Sequence, residues 1–365
     1  MPDGNILDRI IGSQTASNLT NFQPHALVEN ILLLLKERDR QIVSARFGLA
    51  SQDVETLEAI GKKHNLTRER VRQIEKDSLN FIKRKKLPEL EAALQLIFDT
   101  ILEHGSIISS DELIGTLLPG SIDLNERMSV KFLLTLGDQF LQNRESSEYL
   151  ENWSIVGFDF SLLQQTVNTL VGLLKQAGAV LPKTDLIERF KSSDFYAQHQ
   201  AQLPDKAISS YLNLSKQLRI NPFNEIGLRD WTEVKPRDVG DKAYLVLKHH
   251  GKPEHYSAIT KLINESRFDG RTAYQETVHN ELIKDSRFVL IGRGIYALSE
   301  WGYKKGVVAD VIVEILRGAG RPLARDEIID QVLKKRQVKR NTILVGLSNK
   351  KHFQKVGKDK YTLAN

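Results

Sequence analysis

Four glycines frame most of this chain. Gly105, Gly178, Gly251 and Gly320 follow one another at spacings of 73, 73 and 69 residues. Each ends a helical run and opens a turn: HGSIISSDELI, AGAVLPKTDLI, HGKPEHYSAIT and AGRPLARDEII. A branched aliphatic falls eight residues after every glycine, at Leu113, Leu186, Ile259 and Ile328. That constancy fixes the register of a helix–turn–helix corner. Self-similarity at such a period means one supersecondary unit used repeatedly, not a single large core.

Each unit continues into a third helical run and a short β ending. The endings are ENWSIVGF, GLRDWTEV, GRGIYALSEW and GKDKYTLAN, with Trp153, Trp231, Tyr296 and Tyr361 in equivalent places. These aromatics are read as core, because each must cover a small helical interior; stacking on bases is the sharper alternative. Ile295-Tyr296-Ala297-Leu298 alternates after Gly292-Arg293-Gly294 and reads as a hairpin. Three helices closed by a hairpin make a winged helix. The expected fold is mainly α, with an N-terminal helix-turn-helix domain followed by four tandem winged-helix modules, each α with a small β hairpin. The expected boundaries are 1–22 for an N-terminal tail, 23–87 for the helix-turn-helix domain, and 88–158, 159–235, 236–303 and 304–365 for the modules. Units of this size can fold alone.

The domain ahead of the repeat rests on Leu57–Lys86, LEAIGKKHNLTRERVRQIEKDSLNFIKRKK. Thr67 is a good N-cap, since its hydroxyl can accept from a free backbone N–H. Arg68, Arg70 and Arg72 then crowd the first two turns, where the helix dipole disfavours cations. A local rule broken this plainly marks a functional site. Phosphate would relieve the conflict, because helix N-termini and arginines both favour anions. Leu57, Ile60 and Leu66 lead into Val71, Ile74, Ser78 and Ile82 at helical spacing, flanked by Leu79 and Phe81. Arg68, Glu69, Arg72, Gln73 and Lys76 are left on or near the open face. Arg and Gln can read base edges bidentately, and Glu can accept from cytosine N4. The plainer alternative is a solvated basic helix. Charge argues against it: Ile60–Lys86 holds 10 Lys+Arg and 3 Asp+Glu, a net of +7, against +6 for the whole chain.

Gln23 to Lys86 resembles region 4 of a bacterial RNA polymerase sigma factor. LLLLKERDRQIVSARFGL (Leu32–Leu49) and TLEAIGKKHNLTRERVRQIEKDSLNFI (Thr56–Ile82) carry the resemblance, and TRERVRQIE is its most specific motif. It implies that the helix capped by Thr67 enters the major groove of a promoter −35 element, with base-reading positions on Arg68, Glu69, Arg72 and Gln73. It also implies that the upstream helices dock on the β flap of the polymerase. A complete sigma factor has further regions that grip the core enzyme and melt the −10 element. Only residues 1–22 precede the resemblance, with Phe22 as their one aromatic. The chain is therefore not expected to act as a self-sufficient sigma factor. Val239 to Tyr303 resembles the HARE-HTH winged helix of the RNA polymerase delta subunit, through AYLVLKHHGKP and TVHNELIKDSRFVLIGRGIYALSEWGY. This implies a module linked to transcription or other DNA-associated machinery.

Charge assigns the modules different duties. Residues 1–59 are net −3, module 88–158 is net −9, modules 159–235 and 236–303 are each +1, and module 304–365 is +9. A module at −9 repels a phosphate backbone, so the first is read as protein-facing or a spacer. In the last, Lys334, Lys335, Arg336, Lys339 and Arg340 lead into the third helix, and Lys350, Lys351, Lys355, Lys358 and Lys360 follow it. That places cations around a groove-seated helix. The DNA-binding residues expected are thus Thr67, Arg68, Glu69, Arg70, Arg72, Gln73, Lys76, Lys334, Lys335, Arg336, Lys339, Arg340, Lys350 and Lys351.

No enzyme, cofactor or metal site is expected. The chain has no cysteine, which removes disulfides, thiolate catalysis and cysteine-bound zinc. Gly292-Arg293-Gly294 lies between strands and lacks the third glycine of a dinucleotide loop. His249 and His250 are adjacent, so a helix points them in different directions. There is no apolar run of 18 residues and no basic-then-apolar leader, so no membrane span or secretory signal is expected. The expected location is cytoplasmic and nucleoid-associated. The expected partners are double-stranded DNA and bacterial RNA polymerase. Two other readings stand beside this one: an RNA polymerase-associated adaptor acting through protein contacts, and a DNA-organising or defence protein sensing modified DNA.

Overall fold

The computed structural model describes residues 22–50, 53–303, 308–335, 340–349 and 351–364. The fold is mainly helical with small antiparallel sheets. A helical domain comes first: α1 (Pro24–Leu32), α2 (Glu37–Phe47), α3 (Leu57–His64) and α4 (Arg68–Arg84). Helix α4 ends because Lys86 turns left-handed and Pro88 follows at the start of the next helix.

Four winged-helix-like arrangements follow. The first is built from α5 (Pro88–Glu103), β1 (Ile107–Ser109), α6 (Ser110–Leu117), α7 (Leu124–Leu136), β2 (Phe140–Asn143) and β3 (Asn152–Ile155). The second has α8 (Phe160–Ala177), β4 (Leu181–Pro182), α9 (Lys183–Lys191), α10 (Asp194–His199), α11 (Asp205–Leu214), β5 (Leu218–Ile220) and β6 (Glu225–Leu228). The third has α12 (Val239–His250), β7 (Glu254–His255), α13 (Tyr256–Ser266), α14 (Gln275–Lys284), β8 (Phe288–Leu290) and β9 (Ile295–Leu298). The fourth has α15 (Val308–Ala319), β10 (Leu323–Ala324), α16 (Arg325–Lys335), α17 (Arg340–Leu347), β11 (Phe353–Lys355) and β12 (Lys360–Leu363). In every sheet the last strand lies between the other two, in the orders β1-β3-β2, β4-β6-β5, β7-β9-β8 and β10-β12-β11.

The four framing glycines all have positive φ, between 62° and 79°, where a side chain would be strained. The aliphatics eight residues on, Leu113, Leu186, Ile259 and Ile328, are fully buried. One expectation fails. Trp231 lies beyond β6, and the equivalent of Trp153, Tyr296 and Tyr361 is Ile226. The register decides this: Trp153, Ile226, Tyr296 and Tyr361 pair with Ile108, Leu181, Glu254 and Leu323, each three residues after its glycine. Trp231 instead packs beside Gly227, where a Cβ would stand 2.9 Å from its ring.

The third helices carry a further repeat. A branched aliphatic, a leucine four residues on and a large apolar residue six beyond that recur as Val130/Leu134/Phe140, Ile208/Leu212/Leu218, Val278/Leu282/Phe288 and Ile343/Leu347/Phe353. All twelve are buried, none more than 8% exposed. The first two of each set define the inward face of the third helix, and hence the outward one; the last lies on the strand that follows.

The chain forms two compact units: one runs to Gly178 and takes in Thr184–Leu218, and the other takes Ala179–Lys183 and Arg219 onward. The first unit has a continuous core. Val28, Ile31, Leu32, Val43 and Ile82 of the helical domain lie in one cluster with Leu90, Ile97, Phe132, Leu133, Leu136 and Trp153. Phe132 meets Phe47 edge to face at 5.1 Å. Burying a large apolar side chain stabilises by about 1.5–3 kcal/mol. The Lys83–Asp138 ion pair spans the same junction at 2.5 Å with Asp138 almost fully exposed, and such a pair contributes about 1 kcal/mol or less. Apolar packing on α7 therefore dominates the junction.

The second module repeats the device on the first. Helix α11 presents Ala207, Ser210 and Tyr211, all fully buried. Tyr211 Oη donates to the Gly105 carbonyl at 2.8 Å, and Ser210 Oγ donates to the Ile107 carbonyl at 3.1 Å. Asn213 Nδ2 donates to Glu112, and Lys206 pairs with Glu103. A Cβ on Gly105 would stand 2.5 Å from the Ala207 Cβ. Gly105→Ala is thus expected to destabilise the first unit by roughly 1–3 kcal/mol, through both the positive φ and the overlap. Chemical denaturation of the full chain, followed by tryptophan fluorescence, measures this; an unchanged midpoint would contradict the tight contact.

Candidate nucleic-acid interface

The interface is built on the α3–α4 corner. Thr56 caps α3, its hydroxyl accepting from Ala59 N at 3.2 Å. Asn65 closes that helix in the left-handed region, and Leu66 N–H donates to the Gly61 carbonyl at 2.8 Å. A Cβ on Gly61 would lie 2.6 Å from the Leu66 carbonyl oxygen, so the corner needs glycine there. Thr67 then caps α4, accepting from Arg70 N at 3.2 Å. The corner closes over a small core of Ile42, Ile60, Val71 and Ile74, with Leu57 and Leu66 against it.

Helix α4 buries Val71, Ile74, Ser78 and Ile82, the face expected from spacing. Phe81 is exposed, with the Lys85 ammonium 4.9 Å above its ring. Thr67, Arg68, Glu69, Arg70, Arg72 and Lys76 are exposed, and Gln73 is half-buried. The polar side chains are held in pairs. Arg72 Nε donates to both Glu69 carboxylate oxygens at 3.0 Å, and its Nη2 lies 2.5 Å from Oε1. That hydrogen bond, with the Arg72 and Arg68 charges behind it, holds the Glu69 carboxyl below its ordinary range. Gln73 Nε2 donates to Asp77 at 2.9 Å. Glu69 also sits in the first turn, where a carboxylate offsets the clash between the arginines and the dipole.

The expected second cluster lies on the fourth module. Lys334, Lys335, Arg340 and Lys351 are exposed; Lys335 approaches Glu314 at 4.0 Å, and Arg340 pairs with Asp326. Arg336, Lys339 and Lys350 lie outside the described residues. Lys355, Lys358 and Lys360 are exposed on the hairpin.

Sequence reasoning missed how the third helices are used. The outward positions stand one before, two after and three after the branched aliphatic. They are Ser129, Phe132 and Leu133 on α7, and Ala207, Ser210 and Tyr211 on α11, all buried. On α14 they are Thr277, Asn280 and Glu281, and on α17 they are Thr342, Val345 and Gly346. Thr277, Asn280, Thr342 and Val345 are exposed. The signal was present only in part: this face is apolar or small on α7 and α11 and polar on α14, but the Thr, Val and Gly of α17 do not stand apart from the buried sets. Arg287 is a basic side chain with another duty. Asp285 and Asp241 hold its guanidinium at 2.6 and 2.9 Å, and raise its pKa further.

A capped, exposed second helix set across a glycine corner is a helix-turn-helix. Residues 31–84 match the family model described as Sigma-70, region 4. Similar proteins include RNA polymerase sigma factor RpoS of Coxiella burnetii, 43% identical over 74 residues (18% of this chain, 21% of that protein). RNA polymerase sigma factor RpoD of Helicobacter pylori is 37% identical over 81 residues, 21% of this chain and 12% of that protein. RNA polymerase sigma factor SigA of Microcystis aeruginosa is 46% identical over 52 residues, 14% of this chain and 12% of that protein. The similarity thus spans about a fifth or less of these relatives' length, and about a fifth or less of this chain.

Arg72→Ala or Gln73→Ala is expected to relax base preference at a cost of about 1–3 kcal/mol on the preferred duplex. Enrichment from a randomised duplex pool measures this. Unchanged selectivity in both variants would remove base reading from α4.

Proposed function

We propose that this chain is a non-enzymatic DNA-binding transcription protein. Its region 4-like helix-turn-helix reads a short duplex element of the promoter −35 kind, and its basic last module holds DNA at a second place. The observation that carries this reading is the exposed N-terminal half of α4, where Arg68, Arg70, Arg72, Gln73 and Lys76 surround a capped helix end. Backbone N–H groups and guanidinium groups there favour the same anion. Two sites on one chain raise avidity without new base contacts. Bacterial RNA polymerase, contacted at the β flap by the upstream helices, is the proposed protein partner, and the bacterial cytoplasm the proposed location.

The buried outward faces of α7 and α11 support a scaffold role for the first two modules. The net charge of −9 on residues 88–158 supports protein contacts over DNA contacts there. This last point also favours a second reading, a polymerase-associated adaptor with slight DNA specificity.

Binding to selected and random duplexes across a salt series separates the two. The first reading expects a large preference for the selected duplex at physiological salt. It also expects Lys351→Ala and Lys358→Ala to lower affinity on all sequences and reduce the salt slope by about one each. Loss of the preference at physiological salt, with retention of the chain on core RNA polymerase in a pull-down, would favour the adaptor.

A further inference from the structure

We propose that the third helix of the last module reads an A·T-containing major-groove step through Asn341, Thr342 and Val345. The proposal rests on the reading that this module binds duplex DNA, and it names the bases.

The third-helix repeat identifies the outward face. In the first two modules that face is closed by contacts inside the chain. In the third it carries Glu281, paired with Lys284, and Glu276 is exposed five residues earlier; carboxylates oppose a phosphate backbone. In the fourth, Asn341, Thr342 and Val345 are all exposed, Val345 by 70%. Asn341 and Thr342 stand four and three residues before Val345, the spacings that share a helix face.

Asn341 and Thr342 stand in the first turn of α17, where short polar side chains are at ease, so Val345 is the residue that local structure leaves unexplained. Asn, Thr and Val are all weaker helix formers than Ala, Lys or Glu, and the β-branched pair also loses side-chain freedom in a helix. A solvated helix face has no need of a β-branched apolar side chain this exposed. Val345 beside exposed Asn341 and Thr342 points to a contact with base edges. The base-edge chemistry is specific. Asn bonds adenine N6 and N7 bidentately, while a Thr methyl and Val make apolar contact with the thymine methyl. Neither Asn nor Val suits guanine, whose usual partner is Arg or Lys. Arg340 precedes the helix face, and exposed Lys351 and Lys355 follow it, so cations flank the readers. The nearby carboxylates are engaged: Asp326 pairs with Arg340, and Asp359 lies 3.6 Å from Lys355 and 3.8 Å from Arg325. Helix α4 offers a contrasting set, Arg, Glu and Gln.

The test uses the full chain and two short duplexes of equal length, one A·T-rich and one G·C-rich, followed by fluorescence anisotropy. Wild type is compared with the double variants Asn341→Ala/Val345→Ala and Lys351→Ala/Lys355→Ala. The first double variant should cut the A·T-over-G·C ratio about tenfold and leave G·C affinity within about twofold. The lysine variant should weaken both duplexes alike and keep the ratio. All substituted positions are exposed, and alanine favours helix at the two on α17, so thermal midpoints should not fall. If the ratio survives Asn341→Ala/Val345→Ala while the lysine variant still weakens binding, the module touches DNA without reading A·T, and this proposal is overturned. If neither variant changes either affinity, the second DNA contact itself is wrong, and the proposal falls with it.

Discussion

The apolar face of α7 closes over the helix-turn-helix domain, and much of the molecule follows from that contact. Phe132, Leu133 and Leu136 share one cluster with Val28, Ile31 and Ile82. A winged helix can offer its third helix to a DNA groove, but an outward face made of Phe and Leu must be covered by protein. Tyr211, Ala207 and Ser210 repeat the arrangement one module later, with hydrogen bonds to the Gly105 and Ile107 carbonyls in place of a larger apolar contact. The two junctions fix the register of the helix-turn-helix domain, the first module and α11. Their outward third-helix faces are engaged with protein and leave α14 and α17 as the open ones.

Electrostatics run in the same direction. The recognition stretch at +7 is joined by a shared core to a module at −9. The acidic module discourages phosphate on its own surface, while the exposed N-terminal half of α4 carries the arginines. Within α4 two of the exposed polar side chains are matched at rest. Glu69 holds Arg72, and Asp77 holds Gln73. Both bonds are exposed and within reach of solvent, so exchanging them for base or phosphate partners costs little. The pairing also tempers the unfavourable placement of arginine at a helix N-terminus.

Much of this was legible in the sequence, for local reasons. Thr67 as cap, the buried set Val71, Ile74, Ser78 and Ile82, and the hairpin after Gly294 all depend on residues within a few positions of one another. The framing glycines gave the repeat because each needs a left-handed backbone and a buried aliphatic at a fixed offset. Trp231 was misplaced because aromatic identity was matched, whereas the strand register selects Ile226. The docking of α7 and α11 is not legible from polarity alone: their outward positions are less polar than those of α14, but Thr342, Val345 and Gly346 of α17 are as small and apolar. Nothing in one module's periodicity says which surface of a neighbour will cover it. Contacts such as Tyr211 to Gly105 join residues 106 positions apart, and no local rule reaches that far.

Hydrogen exchange of the full chain, free and saturated with a selected duplex, tests this account most directly. Amides at Arg68–Gln73 and Arg340–Asn349 should gain protection on DNA binding. Those of α7 and α11 should exchange slowly in both states and stay unchanged, because their outward faces are already closed by protein. New protection on α7 or α11, or none at the start of α4, would contradict it.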